Sequence, residues 1–166
     1  MRVYLPMTLP ALAAALDAGV VEAPIGYAVT PALREWYLEG DSEELEYAAA
    51  AAAARASLRR LAGGPSGRSA LRRVVLAVDV LDPAARPAPD VDRAAVRLAE
   101  AVHLDLVVSA LVDDPEADED VRRGLAALPA ADAGDEDASF AVDSVEDHEL
   151  AWYAGQELAA LVEIES

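Results

Sequence analysis

The sequence predicts an α+β domain, with a mixed, mostly antiparallel sheet of four to six strands backed by helices. Three observations carry that class. A strand pattern and a capped helix come first, a cluster of short apolar runs fills the middle, and helical patterns return near the C-terminal end. The run 74–80 (VVLAVDV) is almost continuously apolar and β-branched, the mark of a central strand buried on both faces. Helix-start residues stand at Thr8, Thr30 and Asp41, each leading into a helical pattern. One domain, 1–166, accommodates all of this, with an acidic, loop-rich region around 113–149.

Taken in order, residues 2–7 alternate, with Val3, Leu5 and Met7 on the inner side of a half-buried strand. Thr8 caps a helix that Gly19 ends, and 26–29 form a short second strand. Thr30 and Pro31 read as cap and first position of a short helix stopping at Gly40, because proline's missing N–H is no loss there. Asp41 caps the next helix, which Glu43 and Glu44 favour at its start and Arg55, Arg59 and Arg60 near its end. The spacing of Tyr47, Ala51, Ala54, Leu58 and Leu61 predicts its inner face. Residues 63–69 (GGPSGRS) read as a loop and 82–90 (DPAARPAPD) as a Pro-rich connector. Residues 93–102 are expected to be a strand pairing back on 74–80, followed by another strand over 106–112. Asp114, Pro115 and Glu116 open a helix with Val121, Leu125 and Leu128 inside, ended by Pro129. The run 131–139 (ADAGDEDAS) reads as a solvated loop. Ser144 and Asp147 then form a capping box for a last helix that buries Leu150, Ala154, Leu158 and Leu161.

Composition narrows the function classes. Hydrophobic residues make up 54 %, but many are alanine and aromatics are only 5 %, so the core is built from small side chains with Leu and Val as its bulk. A net charge of −18 repels phosphate backbones, which disfavours nucleic acid and anionic membranes. It leaves basic proteins, divalent cations or a neutral small molecule as partners. The absence of cysteine excludes disulfides, thiolate metal sites and cysteine nucleophiles. The 13 basic residues are all Arg, which excludes Schiff-base lysines. No apolar run approaches the ~18 residues of a membrane span. Pro6, Pro10 and Asp17 make the N-terminal stretch a strand and helix rather than a leader, so a cytoplasmic location is expected. No cofactor is expected.

The candidate motifs are weak. The loop 63–69 departs from a phosphate-binding loop at Ala62 and Arg68, where Gly and Lys belong, and it follows a helix instead of a strand. A calcium loop starting at Asp114 fails at Glu119 and Leu125. Asp79, Asp113 and Asp114 end two predicted strands; they would converge on a divalent cation if those strands were neighbouring and parallel, and otherwise they cap and turn the chain. No serine lies in a nucleophile elbow. His103 stands alone, whereas His148 lies among acids and would share a helix face with Trp152 and Gln156. Arg34, Trp36 and Tyr37, with Tyr47 close behind, form the densest aromatic and polar cluster, of the kind that binding surfaces enrich. The strongest signal is charge sorting. Fourteen of the 31 acidic residues fall within 113–149, and six of the 13 arginines within 55–73.

The stretches RVYLPMTLPALAAAL, GYAVTPALREWYLEGDSEELEYAA, RRVVLAVDV and HELAWYAGQEL, above all TPALREWY and the late Trp-Tyr pair, resemble an uncharacterised actinobacterial domain-of-unknown-function family over nearly the whole chain. That resemblance implies a bacterial, intracellular, single-domain protein and brings no activity, cofactor or catalytic residue. The leading expectation is a non-enzymatic interaction or regulatory module, with a basic protein partner at the acidic region and Arg34, Trp36, Tyr37, His148 and Trp152 as binding residues. The alternatives are a metal-assisted hydrolase or small-molecule-binding enzyme using Asp79, Asp113 and Asp114, and a homodimer joined through opposite charges.

Overall fold

The fold is an antiparallel sheet with helices on both faces, seen in a computed structural model that describes residues 1–64 and 71–165. β1 (Arg2–Met7) lies between β3 (Ile25–Tyr27) and β4 (Val74–Asp79). The sheet runs outward through β6 (Ala95–Leu98) to β5 (Ala85–Pro87) on one side, and through β8 (Val107–Val112) to β9 (Ala151–Ala154) on the other. Every pairing is antiparallel, where a mixed, mostly antiparallel sheet was expected. β2 (Val20–Val21) and β7 (Val102–His103) make a separate two-stranded ribbon.

Six helices, α1 (Leu9–Ala18), α2 (Pro31–Trp36), α3 (Ser42–Leu61), α4 (Asp118–Asp132), α5 (Glu136–Ser144) and α6 (Leu158–Glu165), are described. One sheet face sets Val3, Leu5, Leu76 and Val78 against α1 and α6. The other sets Tyr4, Val75 and Ala77 against Leu45, Ala49, Ala52 and Ala53 of α3. Alanine on α3 lets the helix lie close to the sheet. The Ser57 hydroxyl fixes it there, donating to the Met7 carbonyl at 2.7 Å and accepting from the Val74 N–H at 2.9 Å. The α4–α5 hairpin packs on the C-terminal part of α3 through Leu58, Leu61, Val121 and Val145.

The caps at Thr8, Thr30 and Asp41 form as the sequence predicts, each accepting a backbone N–H three residues on, and Gly19 closes α1 with φ +79°. Several expectations need correction. The sheet has seven strands, since β5 arises inside the Pro-rich connector, where Pro87 is tolerated on an outer strand. β6 is a strand, yet it pairs with β3 and β5 and not with 74–79. β1 is buried on both faces because α3 covers the side expected to be wet. α2 stops at Trp36, well before Gly40. Ala54, Leu58 and Leu61 of α3 are buried as expected, but the stripe begins through Leu45, Ala49 and Ala52 and leaves Tyr47 exposed; a run so rich in alanine carries almost no periodicity to read.

The C-terminal part differs most. α4 continues through Pro129, whose missing N–H removes one rung while Ala133 donates to the Pro129 and Ala130 carbonyls and holds the last turn. In the acidic run 131–139 only 133–135 turn the chain, the rest ending α4 and starting α5. Gly134 takes φ +95° and Asp135 caps α5, accepting from the Ala138 N–H at 2.9 Å. Ser144 ends α5 instead of opening a helix, its hydroxyl donating to the Phe140 carbonyl. Trp152 and Tyr153 therefore lie on a strand. The predicted loop 63–69 falls outside the described residues from 65 onward. Among the described residues no helix is long and apolar enough to cross a membrane.

Candidate functional site

The register of β4 on β8 sets Val74 opposite Val112, and so Arg73 opposite Asp113. Both side chains are buried, at 2 % and 0 % exposure. Arg73 Nε and Nη2 each donate to the Asp113 carboxylate at 2.8 Å, and the Arg73 N–H adds a third bond at 2.9 Å. Nη2 also donates to the His148 carbonyl at 3.0 Å, tying the 145–150 segment to this pair. Three more pairs join the same stretches of chain: Arg55 with Glu146 at 3.0 Å, Arg59 with Asp132 at 2.7 Å, and Arg72 with Asp118. The charges sorted along the sequence thus meet inside one molecule, where the basic stretch clamps the acidic hairpin onto α3 and β4. Arg72 and Arg73 are buried in these pairs, whereas Arg55 and Arg59 pair at the surface.

Beside this clamp the sheet is incompletely covered. α3 lies over β1, β3 and β4, while β8 and β9 extend past it. A cleft of about 510 Å³ opens there, floored by Leu111 and by Ala50 and Ala51 of α3, walled by Tyr47, and rimmed by 146–150 with Arg73 at its base. It continues past Tyr47 into an open lobe beside Tyr37 and Glu44. A second lobe, about 290 Å³, has Tyr4, Ala77 and Ser109 as its floor and Trp152 facing the cleft. Trp152 sits directly opposite Leu111 in the ladder, on the outermost strand. A separate void among Ala54, Leu58, Leu128 and Val145 measures about 60 Å³, room for water only.

Of the eight aromatic residues in the chain, Tyr4, Tyr37, Tyr47 and Trp152 border this groove. Tyr47 is 65 % exposed and Trp152 63 %, so their burial does not stabilise the fold. Glu43, Glu44, Glu46, Asp147 and Glu149 rim it and are exposed. The arginines beside them are already bound: Arg2 to Asp79 at 2.6 Å, Arg55 to Glu146 and Arg73 to Asp113. The groove is therefore aromatic in its walls and negative around its edge. Burial, and then the charge of Glu46, push the Tyr4 phenol above its ordinary value. Hydrogen bonding to Arg2 holds Asp79 below the usual carboxylate range.

The residues singled out from the sequence separate into two groups. Tyr37, His148 and Trp152 line the groove. Trp36 and Arg34 do not border it in the lobes described; the Trp36 ring stacks under Arg93, 3.6 Å from its centroid, beside β6 and away from β9. His148 does not share a helix face with Trp152. Its Nε2 meets Asp120 of α4 at 2.6 Å, a bond that, with the charges of His148 and Arg123, lowers the Asp120 carboxyl. The strand-end aspartates do not converge. β4 and β8 are neighbours but antiparallel, which places Asp79 about 20 Å along the sheet from Asp113. Asp114 accepts the Glu116 N–H as a cap. Among the described residues no three His, Asp or Glu side chains are grouped to hold a metal ion. Sequence reasoning missed Leu111, Glu43, Glu46 and Arg73. The one available signal was Tyr47, a lone aromatic at the head of an alanine run.

A family model described as "Family of unknown function (DUF6912)" matches residues 1–162, and the chain belongs to that family. No curated protein and no solved structure matches it.

Proposed function

We propose that this family member is a non-enzymatic interaction module whose groove between α3 and β8–β9 captures an extended, cationic segment of a partner protein. The observation that carries the reading is the coincidence, at one opening, of exposed aromatic walls, a floor of small and aliphatic side chains, and a rim of exposed carboxylates. Aromatic side chains left in water are typical of recognition surfaces, and the rim supplies the complementary charge for a basic chain. The buried Arg73–Asp113 pair is spent on structure, since Arg73 also donates to the His148 carbonyl and so holds the rim of the groove.

Calorimetric titration with an unstructured arginine-rich peptide tests this. Affinity should fall steeply between about 0.05 and 0.5 M salt, as expected for partly exposed opposite charges. Glu46→Gln and Glu149→Gln should each weaken it roughly two- to fivefold. A peptide of equal length with Glu for Arg should not bind. Binding that ignores salt and both substitutions would overturn the reading.

A further inference from the structure

The lobe at the Arg2 end of the groove has a more specific chemistry than the rest, and its nature rests on the reading just given. Tyr47 on α3 and Trp152 on β9 both border it, largely exposed, with the Tyr4 ring in the floor between the two elements. Glu43 and Glu46, one helical turn apart and beside Tyr47, supply two carboxylates at the mouth. No ion pair engages either carboxylate among the described residues; Arg2, in the same lobe, feels the charge of Glu46 but is bonded to Asp79 through two bonds of 2.6 and 3.2 Å.

The other tryptophan supplies an internal comparison. Trp36, also exposed, has its ring face occupied by the guanidinium of Arg93 from its own chain. Among the described residues no cation stacks on Trp152. We propose that this lobe is the seat for one arginine side chain of the partner segment, its guanidinium lying on Trp152 and Tyr47 and its N–H groups turned to Glu43 and Glu46. A planar cation with several fixed donors satisfies ring faces and two carboxylates together, whereas an ammonium is a compact point charge that keeps its water.

The test uses the full chain with Trp36→Phe, so that indole emission reports Trp152 alone. An arginine-containing basic peptide and its lysine counterpart are titrated while fluorescence and heat are recorded, with Trp152→Leu and Tyr47→Leu measured by heat. Both side chains are exposed, and circular dichroism checks that the variants fold. The seat requires that the arginine peptide change Trp152 emission and bind roughly three- to tenfold more tightly than the lysine one. Each leucine variant should remove most of that preference. Equal, salt-sensitive binding of both peptides with no response from Trp152 overturns the seat and leaves the groove reading standing. No binding of either peptide overturns both.

Discussion

Replacing Asp113 by alanine removes the acceptor of three Arg73 hydrogen bonds and leaves a guanidinium at 2 % exposure with only the His148 carbonyl. Breaking a buried ion pair from one side typically destabilises by about 3–5 kcal/mol, far more than the pair itself contributes. Arg73 borders the cleft and can draw water onto its charge, which puts the expected loss near the lower end, about 3 kcal/mol. For a chain of this size that lowers the melting temperature by roughly 6–12 °C. Urea unfolding of wild type, Asp113→Ala, and the double variant Arg73→Leu/Asp113→Leu gives the comparison. The double variant should recover more than half of the loss, because both polar partners leave together. A single-variant loss under about 1 kcal/mol, or a double variant no more stable than Asp113→Ala, would refute the claim that this pair anchors the hairpin and the cleft rim.

Exposed bridges should behave differently. Arg59→Ala, which releases Asp132, is expected to change stability by less than about 1 kcal/mol by the same assay. Gly124→Ala should destabilise by about 1–3 kcal/mol despite alanine's helix preference, since its Cβ would stand 2.6 Å from the buried Val145 side chain; thermal unfolding measures it. Asp79 and Asp132 have carboxyl groups held below their ordinary value of 3.8 by Arg2 and Arg59. A lowered folded-state value contributes stability that is complete above 3.8 and lost as pH falls below it. Asp132→Asn should therefore lose stability less steeply than wild type on acidification below about pH 4, followed as melting temperature against pH. Thr30→Val, which removes the Leu33 cap and the hydroxyl bond to the Arg93 carbonyl, should lower stability by about 1–2 kcal/mol in denaturant titrations.

What the sequence disclosed was whatever depends on local chemistry. Thr8, Thr30, Asp41 and Gly19 announce helix boundaries because capping involves neighbours three or four residues apart. The β-branched run at Val74 announces a buried strand for the same reason. Elements defined by their surroundings stayed hidden. Trp152 looked helical because acids and Leu150 framed it, yet pairing with Leu111 makes it a strand. The acidic run around Asp135 reads as a loop because clustered carboxylates pattern as solvated charge, whereas one caps a helix and two lie in its first turn. The charge sorting was visible, but its resolution within the molecule depends on the β4–β8 register, which sets Arg73 against Asp113. The groove was legible only in part, as Tyr37, Tyr47, His148 and Trp152, since it exists where α3 fails to cover β8 and β9.

The measurement that bears most directly on the groove is a backbone and indole amide map of the isotope-labelled protein during titration with the arginine-rich peptide. Signals from Tyr47, Ala51, Leu111, Glu149 and the Trp152 indole should move together and saturate, while those of α1, α6 and the Trp36 indole stay in place. Shifts spread instead over the acidic faces of α4 and α5, with Tyr47 and Trp152 unmoved, would mean that the protein offers only diffuse negative charge.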